Sequence, residues 1–179
     1  MSESEASTQP KHMHFMGISM DTEFRSFVNA LKQKRFEEFM DLERSIVLKG
    51  RFAGYDDCKI IVYSSPSNKV KLVGVFFPNR DNWSHLYANY SNIKNMLIQK
   101  YGEPELCDET FESVVDPQDD HSKMFYVETD RCKYKTRFHT SGGWIILAIE
   151  HMELDTCVTL GYSDDVYIEE DETAAIDDL

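Results

Sequence analysis

Residues 132–150 read CKYKTRFHTSGGWIILAIE, and the contrast between the two halves of that stretch decides the fold. Cys132, Tyr134, Thr136 and Phe138 alternate with Lys133, Lys135, Arg137 and His139. A period of two sends one set to each side of a strand, so this segment predicts a strand with one buried and one wet face. Gly142 and Gly143 supply the backbone freedom of a turn between strands. Trp144 to Ile149 is apolar at every position, the pattern of a central strand that is covered twice or meets a partner.

Working outward, Thr156 to Tyr162 has strand composition, and Lys123 to Thr129, with its Phe, Tyr and Val, is expected to be a strand as well. Upstream, Ser45–Phe52, Cys58–Tyr63 and Lys69–Phe77 form an antiparallel meander, the last two joined by the polar turn Ser64–Asn68. His14 to Ile18 reads as a short strand. Two segments carry helical periodicity instead. Phe24, Phe27, Val28 and Leu31 make one stripe, with Asp21 or Thr22 as cap, Glu23 in the first turn and Lys32, Lys34 and Arg35 at the C-terminal end. Leu86, Tyr90, Ile93, Leu97 and Tyr101 make the other, closed by Gly102 and Pro104.

Each half of the chain is thus a helix followed by a run of antiparallel strands. The expected fold is α+β: a largely antiparallel sheet of seven to eight strands in two meanders, with two helices on one face, because each helix has a single apolar stripe to bury. The domain is expected to span residues 14–163, after a disordered arm over 1–13 and before an acidic tail over 164–179.

That tail explains the net charge of −13. From Asp164 onward the chain has eight carboxylates and no Lys or Arg, which leaves 24 acids against 19 bases elsewhere. Nucleic-acid binding is disfavoured, since phosphate contacts need a basic footprint. No stretch resembles a secretory leader or a membrane helix, so the chain as written is expected to be soluble and cytoplasmic, or exported if a leader has been removed. Cys58, Cys107, Cys132 and Cys157 show no CxxC spacing. Reduced thiols are expected, with a Cys132–Cys157 bridge left open.

Four segments resemble a group of bacterial α+β proteins of unknown function. They are Phe15-Met16-Gly17-Ile18-Ser19-Met20, Leu48-Lys49-Gly50-Arg51-Phe52-Ala53-Gly54-Tyr55, Cys58–Tyr63, and Lys100-Tyr101-Gly102-Glu103-Pro104. The resemblance covers about 14–162 and implies no activity. The helix-then-meander plan is also similar to that of the β-lactamase inhibitor protein and of small outer-membrane assembly lipoproteins, at the level of element order alone.

Chemistry-bearing patterns are sparse. His12 and His14 have a metal-compatible spacing but no third ligand nearby. Cys132 with His139 or His151 would be a thiol–imidazole pair, and strand alternation sends Cys132 and His139 to opposite faces. Gly50 to Gly54 lacks the Lys-Ser/Thr ending of a phosphate loop. No catalytic residue, cofactor or metal site is expected. What remains is the cationic row Lys133, Lys135, Arg137 and His139, read as a solvated face or as a dock for an acidic partner or the chain's own tail, with Trp144 and Ile146 as apolar anchors. The functional expectation is a non-catalytic protein-interaction module using the sheet face that the helices leave uncovered. The alternative is an immunity-type or inhibitor protein that captures a basic toxin or enzyme.

Overall fold

The structure, a computed structural model, describes residues 11–177. The chain begins with a small hairpin, β1 (His14–Phe15) and β2 (Ile18–Ser19), followed by helix α1 (Phe24–Gln33) and strands β3 (Glu37–Leu42), β4 (Ser45–Phe52), β5 (Tyr55–Ser64) and β6 (Val70–Phe76). A second helix, α2 (Trp83–Tyr101), precedes β7 (Leu106–Phe111), α3 (Asp120–Glu128), β8 (Cys132–Thr140), β9 (Gly143–Met152) and β10 (Asp155–Asp164), and α4 (Asp165–Asp177) closes the described chain.

β3 to β10 form one antiparallel sheet in the order β3-β4-β5-β6-β10-β9-β8-β7. The order is symmetric about the β6–β10 pair; the first half is α1 followed by four strands, and the second is α2 followed by four strands with α3 inserted between β7 and β8. This is the α+β class with a largely antiparallel sheet expected from the sequence, where seven to eight strands were expected; His14–Ile18, read as one short strand, is instead the separate β1–β2 hairpin, and β3 and β7 are sheet members that were not read as strands. Its helix count differs: α3 and α4 join the two helices that were expected.

Register explains how the sheet divides its residues. Ile46 lies opposite Val62, Val62 opposite Val73, Val73 opposite Tyr162, Tyr162 opposite Ile145 and Ile145 opposite Phe138. The parallel row runs Leu48, Ile60, Val75, Leu160, Leu147, Thr136. All of these are buried, and they share one core with Phe24, Phe27, Val28 and Leu31 of α1 and Leu86, Tyr90, Ile93 and Leu97 of α2. Both long helices therefore cover the same face. Helix ends follow local chemistry: Glu23 accepts from Ser26 N at 2.8 Å to cap α1, Asn82 accepts from His85 N to cap α2, and Gly102 at φ 84° ends α2. The α1 cap is thus Glu23 itself and not Asp21 or Thr22, with the side chain doing what a shorter Asp or Ser usually does.

The segment Lys123–Thr129 is a correction, since it belongs to α3 and not to a strand. Asp119 accepts from Ser122 N and starts the helix, and Met124 and Val127, three residues apart, bury themselves in the common core. β-rich composition misled here because a cap and an i, i+3 pair outweigh propensity over nine residues. Strands β3 and β7 are the two sheet edges. Of the arm expected over 1–13, residues 1–10 lie outside the described residues, whereas Met13 is 4% exposed and part of the core. The acidic C-terminal segment continues directly from β10 into α4. No helix among the described residues is long and apolar enough to cross a membrane.

Candidate interaction surface

Residues of the opposite parity make the second face of the sheet. One row crosses all eight strands: Met40, Val47, Ile61, Gly74, Gly161, Ile146, Arg137 and Leu106, each the register partner of the next. A flanking row runs Lys49, Lys59, Phe76, Thr159, Ala148, Lys135, Asp108, and another runs Leu42, Ser45, Tyr63, Leu72, Ser163, Trp144, His139. Val47, Ile61, Tyr63, Leu72, Phe76, Trp144 and Ile146 are half-buried, and Met40, Leu42 and Leu106 are exposed.

Glycines shape the centre of this face. Gly74 and Gly161 face each other on the two middle strands, and a side chain built on Gly161 would meet nothing within 4 Å. The result is a shallow groove of about 200 Å³ walled by Tyr63, Leu72, Phe76 and Ile146, with every lining residue drawn from strands β5, β6, β9 and β10. At its end, beyond Phe76, a second hollow of about 330 Å³ is lined by Ile61, Pro78, Met152 and Cys157, with Asp57, Lys59 and Asp155 at its rim.

The cationic row lies on this same face. Lys133 pairs with Glu112, Arg137 lies 3.3 Å from Glu105, and the Arg137 guanidinium sits 4.6 Å from the Trp144 ring centroid. His139 packs on the same indole at 4.3 Å. Thus Arg137, His139 and Trp144 form one stack beside Ile146, while Lys135 faces Asp108 across the β7–β8 pair. Edge strand β7 supplies or adjoins these carboxylates. Its sequence, Leu-Cys-Asp-Glu-Thr-Phe, shows no strand alternation, so the partial neutralisation of the row was not legible in advance.

Among the described residues, the acidic C-terminal segment does not pair with the cationic row. In α4, Asp171 pairs with Lys71 at 2.7 Å and Glu170 accepts from the Ser67 hydroxyl, which seats the helix against the β5–β6 turn. The self-docking considered on Lys133, Lys135, Arg137 and His139 is not what the described residues show: α4 pairs with Lys71, which lies where β6 shifts register against β5.

Sequence reading also missed a polar cluster at the base of α4. Asp164 is fully buried, accepts from Met13 N at 2.8 Å, and lies 3.2 Å from His12 Nδ1. The His12 ring stacks on Tyr167, and Tyr167 donates to Asp21. That hydrogen bond holds the Asp21 carboxyl below its ordinary range, and burial pushes the Tyr167 phenol up. A run of acids hid the buried one, since Asp164 and its partner His12 stand 152 residues apart in sequence. His12, considered above as half of a metal pair with His14, has its ring committed to this cluster.

The thiols do not approach nucleophilic form where burial governs them. Desolvation pushes Cys58 and Cys157 up to about 11 and Cys132 up to about 12. All four cysteines are free. Cys132 shares the helix-covered face with Tyr134 and Thr136, away from His139, as alternation requires. Among the described residues, no cluster of three or more His, Cys, Asp or Glu has metal-binding proximity. Compared with models of known protein families, with curated proteins and with solved structures, the chain matches none.

Proposed function

We propose that this chain is a non-catalytic protein-interaction module that binds through the uncovered face of its eight-stranded sheet. The observation that carries this reading is the set of half-buried apolar side chains across the sheet, Val47, Ile61, Leu72, Phe76 and Ile146, around two facing glycines in a groove lined by strand residues alone among the described residues. A folding monomer needs one buried face, and a second contiguous apolar surface rimmed by charge is the signature of a binding site. Trp144, which both Arg137 and His139 approach, and Ile146 beside it supply aromatic and aliphatic anchors of the kind that dominate such surfaces. A photo-reactive residue placed at 146 is expected to crosslink one protein in stoichiometric yield in the native host, and the same residue at exposed Met96 on α2 is expected to crosslink none. Equal labelling from both positions would remove the reading.

The immunity-type or inhibitor reading rests on a different surface, the outer side of α4, where Glu169 and Glu172 are exposed with no cation within 4 Å among the described residues. Glu169→Lys with Glu172→Lys would abolish capture of a basic partner there and leave an open-face complex intact.

A further inference from the structure

We infer that a short extended segment of a positively charged peptide inserts between β8 and β9, where the sheet is split. The inference deepens the interaction reading above and rests on it, because the guest enters from the open face.

The split follows from register. β8 and β9 pair from Thr140–Gly143 as far as Lys135–Ala148 and no further. Both strands continue beyond that point: Cys132, Lys133 and Tyr134 stay paired with β7, and Ile149, Glu150 and His151 stay paired with β10. The same register carried on would set Tyr134 opposite Ile149 and Cys132 opposite His151, and neither pair forms. In an antiparallel sheet, alternate residues turn their N–H and C=O groups to opposite neighbours. Arg131 and Arg137 turn their carbonyls to the β7 side, where they accept from Glu112 N and Glu105 N. Cys132 and Tyr134, of the other parity, therefore turn theirs toward β9, across the split from the main-chain groups of Ile149 and His151.

Between the two strands lies a cavity of about 410 Å³, within the size range of ligand sites. Tyr134 and Lys135 wall it on one side and Ile149 and His151 on the other. Val127 of α3, itself 2% exposed, closes it toward the helices, and Leu106 and Asp108 of β7 stand at its mouth on the open face. Buried main-chain groups are satisfied almost without exception, and the complement to two facing strand edges is a third backbone between them. A guest strand supplies those donors and acceptors whatever its side chains, which is recognition by strand addition. The unpaired stretch is about 10 Å long at strand spacing, so the segment that pairs is short.

Charge selects the guest. Asp108, Asp130 and Glu150 line the cavity against Lys133 and Lys135, and Lys133 is already bound to Glu112. Arg131 beside it is engaged by the Glu112 carbonyl and the Tyr126 ring. The excess is acidic, in a chain whose net charge is −13, and a cationic segment is drawn to it. Ile146 lies two residues from Ala148 on the same face, so a guest that leaves by the mouth passes the apolar anchors.

Hydrogen exchange with and without a probe peptide tests this. The probe is an acetylated and amidated hexapeptide of alternating lysine and valine, which is extended and cationic. In the free protein, the amides of Cys132, Tyr134, Ile149 and His151 are expected to exchange at least about tenfold faster than those of Thr136 and Leu147, which are register partners in the paired part. A saturating probe is expected to slow all four by at least about tenfold. N-methylation of the probe's valine amides removes main-chain donors and keeps the charge, and it is expected to weaken binding by at least about tenfold in fluorescence anisotropy. Glu150→Lys, at an exposed position, is expected to weaken the unmodified probe several-fold, with circular dichroism verifying the fold. Slow exchange of the four amides in the free protein, no protection by the probe, or equal affinity for the N-methylated form overturns the inference. If the probe gives no protection while a crosslinker at 146 still captures a protein, insertion falls and the interaction reading stands. If the crosslinker also captures nothing, both fall.

Discussion

Leu147 and Ile146 are neighbours on β9, yet they live on different sides of the sheet and under different rules. Leu147 is 0% exposed, opposite Leu160 and Thr136 in a row sealed by helices. Ile146 is half-buried, opposite Gly161 and Arg137, beside a groove lined by strand residues alone among the described residues. The covered face is close-packed with Val, Ile, Leu and Tyr. The open face mixes glycine, threonine and lysine with its apolar groups. The difference teaches that apolar character on both sides of a strand does not mean equal burial on both sides: Ile145, Leu147 and Ile149 of β9 are buried on the covered side, whereas Trp144 and Ile146 on the other are only half-buried.

The comparison breaks most visibly at Leu147→Ala. The truncation leaves a cavity under α2 and is expected to cost about 2–5 kcal/mol in urea denaturation. A cost under about 1 kcal/mol would show that the covered core can collapse and is not the rigid side of the pair. Next comes Asp164→Ala, which strands the buried Met13 amide and frees His12. It is expected to cost about 1–3 kcal/mol and to speed hydrogen exchange along α4. Tyr90→Phe tests the polar contact of the covered face. Tyr90 Oη and Thr136 Oγ1 share a buried hydrogen bond, and leaving the threonine with only its weak Cys107 Sγ contact is expected to cost about 1 kcal/mol.

The helix that gives the first half its cover adds a pH-dependent contrast. Backbone amides at the start of α1, Ser26 above all, hold the Glu23 carboxyl at about 2, below its ordinary value of 4.5. A carboxyl whose folded value is depressed stabilises the fold while ionised, so this contribution is complete above about 4.5 and fades as the pH falls toward about 2. Glu23→Gln is expected to flatten that limb of the thermal-stability profile and to leave the profile above it parallel to wild type. An unchanged acid limb would mean that Glu23 does not cap α1 in solution.

Much of the covered face was legible in the sequence, because burial imposes periodicity. The stripes Phe24, Phe27, Val28, Leu31 and Leu86, Tyr90, Ile93, Leu97 predict both helices and their shared side, and the alternation from Cys132 to Phe138 predicts which residues of β8 turn inward. Edge strands were not legible. Every residue of β3 is exposed, so nothing in Glu37–Leu42 had to alternate. α3 was misread because its evidence is an Asp119 cap and a single i, i+3 pair beneath β-prone composition. The open face was legible only as a remainder, in the double-sided apolarity of Trp144 to Ile149. Its central feature, Gly74 opposite Gly161, depends on β6 meeting β10, a contact between residues 87 positions apart that no local pattern announces.

The smallest expected effect sits where the comparison is sharpest. Ile146→Thr keeps the β-branched shape and strand propensity while removing apolar surface from the open face. If that face contributes little to folding, the dilute protein should change by no more than about 0.5 kcal/mol, roughly four- to tenfold below Leu147→Ala one residue away. Urea titrations of the two variants under identical dilute conditions give the ratio directly. A loss at Ile146 approaching that at Leu147 would mean that both sides of β9 hold the fold together. In that case the apolar groups of the uncovered row are explained by stability alone, and no surplus is left for a partner to use.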